Sequence, residues 1–411
     1  MNAIPIHPPA VEMPLAFDDR ERLGKGPGVH ALIIAISAYT HLPKKDEEDG
    51  ASTFGLRQLS SSARTGLTIG RWLIDRRERL TEPLATCRLL VAPAADESSF
   101  EPELATRSAL PTWPNVCVAA EAWRADASSH RDNIAFFYFA GHGVKRQAGD
   151  HVLILQNFGD GIGGSLSGKA IDIADLLLGM APLSTQPDIA RRQMFFFDAC
   201  RTSNPSIEDL QFMKTGSIWN IVKEKDMEDD RVRTTVFSAI PGGPSWANEN
   251  GTFFGQALLN CLNGGAAVSL DDYGSDDAGW GISMSALPKA LTYYLEKLNR
   301  TLGAGQNSEM QQVAGDVILQ RLDAPPPVDV TLWLKPPTAV PFMQLSVRGY
   351  ENAIEREYPV ERHPVRDTLP AGSYELRGRR RDPQRAPPEY KDKVKPFDAQ
   401  PPHTPCRLPV T

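Results

Sequence analysis

Four stretches of the chain are short, nearly continuous apolar runs rather than alternating ones: Ala31-Leu-Ile-Ile-Ala-Ile-Ser37, Cys87-Arg-Leu-Leu-Val-Ala92, Asn133-Ile-Ala-Phe-Phe-Tyr-Phe-Ala140 and Gln193-Met-Phe-Phe-Phe197. Rich in β-branched and aromatic residues, they read as strands buried on both faces of a parallel sheet. Helical spacing fills the intervals. Leu59, Ala63, Leu67, Gly70 and Leu73-Ile74 recur every three to four positions up to the charged cluster Asp75 to Arg79, and a second helix is expected near Val116 to Ala127. A short strand at His151 to Gln156 and a helical Ile173 to Met180 follow. After Cys200 the pattern is polar as far as Arg233. A strand at Thr234 to Ala239, helices at Phe253 to Leu262 and Met284 to Leu298, and a last strand at Gly315 to Gln320 complete the series. This alternation predicts an α/β fold, a sheet of mainly parallel strands flanked by helices.

Punctuation sets the expected boundaries. Residues 1–28 are rich in Pro and Gly and read as a flexible N-terminal segment. The run Ala324-Pro-Pro-Pro327 ends the α/β domain, expected at 29–322 with a polar linker at about 205–233. Beyond it, Val330 to Leu334, Met343 to Arg348 and Ser373 to Arg377 predict a small, all-β, sandwich-like accessory domain at 328–411.

Composition sharpens this division. The 411 residues carry 44 Lys and Arg against 51 Asp and Glu, and 34 prolines. From Ala324 onward lie 17 of those prolines, with 14 basic residues against 11 acidic. An acidic body therefore precedes a mildly basic tail. An acidic body is a poor match to a phosphate backbone, so no nucleic-acid partner is expected. The longest mainly apolar run, Ala31 to Ala38, is far short of the roughly 20 residues that span a bilayer. Pro5, Pro8, Pro9 and Pro14 interrupt an N-terminus that also lacks a basic n-region, so the expected location is cytoplasmic, with no membrane partner. Five scattered cysteines without a C-x-x-C pair argue against a disulfide framework or a zinc knuckle.

Two of the aromatic-rich strands end in chemistry. One runs into Gly141-His142-Gly143, the other into Asp198-Ala199-Cys200. Ligands of open α/β sheets sit at the carboxyl ends of parallel strands, so a histidine and a cysteine far apart in sequence can face one substrate there. A thiolate attacks a carbonyl; a neighbouring imidazolium lowers the thiol pKa and returns a proton to the leaving amine. The Gly143 and Cys200 N–H groups are the expected oxyanion donors. Taken singly, Gly-His-Gly is an ordinary turn and Cys200 a small buried hydrophobe; their equivalent placement at two strand ends favours chemistry.

The set Phe136-Phe-Tyr-Phe-Ala-Gly-His142-Gly143, Phe195-Phe-Phe-Asp198-Ala199-Cys200-Arg201 and Phe237-Ser-Ala-Ile-Pro-Gly-Gly243, followed by Gly251-Thr-Phe-Phe-Gly-Gln-Ala257, resembles the caspase/metacaspase clan of cysteine peptidases, in its bacterial caspase-like branch. The likeness spans about Val29 to Leu322. It implies an endopeptidase acting on protein or peptide substrates, with His142 and Cys200 as the catalytic dyad and Gly143 as an oxyanion donor. It also implies a zymogen, activated by cleavage within Lys214 to Arg233 or by an upstream protease or regulator, and a place in bacterial defence or cell death. Caspases carry Gln two residues before the cysteine; Asp198 here resembles metacaspases, where this aspartate receives a P1 Arg or Lys. The metacaspase acid at the start of the first helix is missing, since Arg64 and Thr65 stand at the matching positions. Basic P1 is the expectation; acidic or relaxed specificity, or a catalytically silent scaffold, are the alternatives. Asp198 could instead be a structural cap, and Trp246 is either a wall of the S2 or S3 pocket or a core residue.

Other features carry less. Gly163-Gly-Ser-Leu-Ser-Gly168-Lys169-Ala170 lacks the hydroxyl that a phosphate-binding loop needs, and reads as a loop. No cofactor or metal is expected. The acidic groups Asp226-Met-Glu-Asp-Asp230 and Asp271-Asp272 with Asp276-Asp277 are possible Ca²⁺ positions, though they read better as solvated linker. His151 reads as an ordinary strand-start residue, and the run Arg377, Arg379, Arg380, Arg381 as a solvated turn.

Overall fold

The computed structural model describes residues 14–44, 46–48, 53, 55–147, 150–159, 168–201, 215–219, 221, 222, 224, 227–271, 279–359 and 363–411. Its contacts divide the chain into one unit of residues 1–258 with 295–317, and another of 259–294 with 318–411.

The first unit is built on a seven-stranded sheet. In spatial order its strands are Phe17–Asp18, Leu84–Ala92, Val29–Ile36, Ile134–Gly141, Arg192–Ala199, Val232–Phe237 and Glu309–Val313. The middle five run parallel and the two edge strands run antiparallel to them. Every residue of Val29–Ile36, Leu84–Ala92 and Ile134–Gly141 is buried, as expected where both faces of a parallel sheet are covered.

Alternation then divides the aromatic residues between those faces. Phe137, Phe139, Phe195, Phe197 and Phe237 join one apolar cluster with Trp123 of the helix Trp113–Ala127. Phe137 lies 6.0 Å from Phe195 and 5.7 Å from Phe197, ring centre to ring centre. The neighbouring positions Tyr138 and Asp198 therefore point to the opposite face, toward the helix Ser62–Asp75 and the segment from Thr252.

The strand expected at Thr234 to Ala239 instead spans Val232–Phe237. Residues 202–214, with the proposed cleavage region's start at Lys214, lie outside the described residues, as do residues 1–13, Gly163 to Ser167, Asp226 and residues 272–278. The described parts of the polar interval after Cys200 lie against the unit: Ile218 and Trp219 pack on the apolar cluster, and Gly216 bridges to Ile171.

The second unit contains a three-stranded sheet of Ala267–Ser269, Trp280–Ser283 and Ile318–Leu322. It also contains two sheets whose inward side chains form one cluster. One sheet holds Pro327–Lys335 between Val365–Pro370 and His403–Pro409. The other is Glu355–Tyr358, Met343–Gly349, Gly372–Arg380 and Lys393–Ala399. Val328, Val330, Leu332 and Leu334 point inward while Asp329, Thr331 and Trp333 alternate with them. Arg377, Arg379 and Arg380, expected in a turn, instead belong to a strand, with Arg377 paired to Glu375.

Candidate active site

The parallel register of Ile134–Gly141 on Arg192–Ala199 aligns Gly141 with Ala199. The residues that follow, His142 and Cys200, therefore leave the sheet side by side at its carboxyl end. Gly143 shows how close the two loops come. A Cβ built on it would lie 2.6 Å from the Cys200 carbonyl oxygen and 2.8 Å from the Ala199 Cβ, so a side chain there would force the loops apart. A narrow cavity is lined by residues that include Gly143, His151, Phe197, Cys200, Arg201 and Phe237.

His142 is held at both ends. Its backbone N–H donates to Tyr39 Oη at 2.8 Å, and Nε2 lies 2.6 Å from the Arg57 carbonyl oxygen. A carbonyl only accepts, so Nε2 carries the proton and Nδ1 is left as the basic nitrogen. Burial pushes the imidazole pKa down to about 4, against the Arg57 carbonyl, which favours the charged form. The ring is thus neutral near pH 7.

Cys200 is partly buried, and the Ser245 N–H donates to its Sγ at 3.2 Å. Burial raises the thiol pKa, while the Ser245 N–H works to lower it. The expected thiolate beside an imidazolium is therefore replaced at rest by a neutral thiol and a neutral base. The cysteine loop is laced to residues 238–245. The Ala199 N–H donates to Ser238 Oγ at 3.0 Å, and Ser238 Oγ meets Ser245 Oγ at 2.6 Å. The Arg201 N–H donates to Gly243 O at 3.2 Å, and the Gly242 N–H to Arg201 O at 2.9 Å. The Arg201 guanidinium is buried over the Phe237 ring, pairs with Glu309, and donates to His151 Nε2 at 3.3 Å. His151 is thus a buried partner of Arg201 as well as a strand residue.

Asp198 alternates with Phe197 along the strand Arg192–Ala199. Its side chain lies on the opposite face of the sheet from Phe197, 3% exposed, and accepts hydrogen bonds from Tyr138 Oη at 2.8 Å and from Thr252 Oγ1. Thr65, at the position of the missing acid, accepts from the Thr252 N–H at 2.9 Å. Burial raises the Asp198 pKa to about 6, although both hydroxyls favour the carboxylate. Trp246 is 44% exposed, which places it at the surface rather than in the core, and its backbone N–H donates to Gln306 Oε1 at 2.8 Å.

Tyr39, Arg57, Ser238 and Ser245 were not singled out from the sequence. Ser238 and Ser245 lie in or beside the quoted segment from Phe237, where two hydroxyls close behind a strand end could have drawn notice. Arg57 and the Ser245 N–H act through backbone atoms, which residue type does not announce. Among the described residues, no group of three or more His, Cys, Asp or Glu side chains is placed to hold a metal ion. Asp230 pairs with Arg191, and Asp229 with Arg231. No helix of the described residues is long and apolar enough to cross a membrane.

His142 and Cys200 thus stand just beyond the ends of two adjacent parallel strands. Residues 96–277 match the family model Peptidase_C14, the caspase domain, which supports a caspase-like fold for that part of the chain. No curated protein matches it in sequence. Among solved structures, it is similar at 12% identity to a protein from Geobacter sulfurreducens, over 70% of this chain and 94% of that one, with a TM-score of 0.38. Caspase-1 from Spodoptera frugiperda is similar at 12% identity over 76% and 93%, with a TM-score of 0.36.

Proposed function

We propose that the protein is a cysteine endopeptidase in which Cys200 is the nucleophile and His142 the general base. The carrying observation is the fixed tautomer of His142 beside the cysteine strand: Nε2–H is committed to the Arg57 carbonyl, so Nδ1 is the nitrogen left to take a proton. The imidazole takes the thiol proton as sulfur attacks the scissile carbonyl carbon. The S–C bond forms and the carbonyl π pair moves to oxygen, toward the Gly143 and Cys200 N–H groups assigned as donors. Collapse breaks the C–N bond, and the imidazolium gives its proton to the amine. Water, deprotonated by His142, then releases the acid and the thiol re-forms.

Basic P1 specificity rests on the carboxylate of Asp198 two residues before the nucleophile. A second reading, relaxed P1 specificity, is favoured by the burial of that carboxylate and its two hydroxyl partners. Activation by cutting within 205–233 or by a partner, and a role in bacterial defence or cell death, enter the proposal through the family likeness. An irreversible peptidyl chloromethyl ketone tests the dyad. Mass spectrometry should find the adduct on Cys200 in the wild type, and labelling at least tenfold slower in His142→Ala. Equal labelling rates would remove His142 from the mechanism.

A further inference from the structure

We propose that Tyr39 and Gln58 are positioning residues for this reaction, bracketing the His142 loop so that its ring keeps the Nε2 proton; the inference rests on reading His142 as the base. Tyr39 follows the strand Val29–Ile36 and is 2% exposed. Its hydroxyl oxygen accepts the His142 N–H at 2.8 Å, and its ring packs on the imidazole with centres 4.9 Å apart. That oxygen occupies space which only a glycine leaves, because a Cβ on Gly141 would lie 2.8 Å from it.

Gln58 ties this half of the bracket to the other. Its Oε1 accepts the Tyr39 N–H at 2.7 Å, while its Nε2 donates to the Tyr39 carbonyl at 2.6 Å and to the Leu42 carbonyl at 2.7 Å. Its own N–H donates to Pro43 O at 3.0 Å, and the next residue's N–H, from Leu59, donates to Ser37 O at 2.9 Å. The preceding residue is Arg57, whose carbonyl receives His142 Nε2–H. Gln58 therefore links the tyrosine that holds the histidine backbone, through its carboxamide, to the Arg57–Gln58 peptide whose carbonyl holds the ring. A histidine's tautomer follows from the bond its other nitrogen makes, and a base must sit within a fraction of an ångström of its working place. Packing alone would need neither a donor–acceptor match on Gln58 nor a hydroxyl on Tyr39.

The test compares the full chain with Tyr39→Phe and Gln58→Glu. The first removes one acceptor oxygen; the second turns two donor bonds into carboxylate against carbonyl. Activity is measured on the peptide that the wild type cleaves best, and the His142 tautomer by ¹⁵N ring spectra, assigned against His142→Ala. Loss of one such bond corresponds to roughly a tenfold fall in kcat for Tyr39→Phe, with KM changed less than twofold; Gln58→Glu is expected to fall further. In both, the ring signal should move from pure Nε2–H toward a mixture of tautomers. A kcat within twofold of wild type together with an unchanged Nε2–H signal in both variants overturns the proposal. Should Gln58→Glu fail to fold, Tyr39→Phe decides alone by the same two readings. A wild type no more active than Cys200→Ala would defeat the peptidase reading; the ring spectra of the variants would then decide the bracket by themselves.

Discussion

Replacing Asp198 by asparagine should change how stability depends on pH. The carboxyl is buried, and its pKa stands at about 6 against an ordinary 3.8, so the folded protein holds this proton more tightly than the unfolded chain does. Between those two values the native state binds more protons, and the wild-type contribution falls as pH rises, by up to about 1.4 kcal/mol per pH unit. Across the window this amounts to about 3 kcal/mol. An asparagine carries no such linkage, and its carbonyl oxygen can still accept from Tyr138 and Thr252. The lowered pKa of His142, about 4, acts in the opposite sense, adding stability as pH rises from 4 to 6.5, but it is present in both proteins and drops out of their difference. Urea unfolding of wild type and Asp198→Asn at several values from pH 3.5 to 7 gives that difference directly. The variant should gain about 3 kcal/mol on the wild type over the range. Two curves that run parallel within about 0.5 kcal/mol would show that the carboxyl titrates as an ordinary solvated one, and the account of Asp198 as a buried, hydroxyl-held group would be wrong.

Three further outcomes follow from the site. Gly143→Ala places a methyl 2.6 Å from the Cys200 carbonyl oxygen, and should cost about 1–3 kcal/mol in urea unfolding and about a hundredfold in kcat/KM. Because His142 must be unprotonated to act and its pKa is about 4, the acid limb of kcat/KM should rise through about pH 4, not near 6.5, in a pH–rate profile. Ser238→Ala removes the hydroxyl shared by Ala199 and Ser245, and should lower stability by about 1–2 kcal/mol with a measurable loss of activity.

The central strands were legible because burial on both faces leaves an unbroken apolar run, as in Phe136 to Ala140 and Met194 to Phe197. The edge strand Glu309–Val313 was not, since Gln311 and Gln312 meet solvent there and carry no apolar signal. Charged positions likewise hid Glu355–Tyr358 and Lys393–Ala399, which alternate weakly or hardly at all. His142 and Cys200 stood out because chemistry-bearing side chains directly follow two such runs. What surrounds them did not. The Arg57 carbonyl and the Ser245 N–H are backbone groups, and the partners of Asp198, Tyr138 and Thr252, come from segments 60 and 54 residues away. Parity along the strand does place Asp198 on the face opposite Phe197, and that much could be read in advance.

The most direct measurement is hydrolysis of fluorogenic peptides with Arg, Lys or Asp at P1 by the wild type and by Cys200→Ala, each assayed intact and after limited proteolysis within residues 205–233. The wild type should cleave at least one peptide in at least one of these states, and Cys200→Ala none. A wild type inactive on all of them in both states, or a Cys200→Ala variant as active as the wild type, would contradict the assignment of Cys200 as the nucleophile of a peptidase.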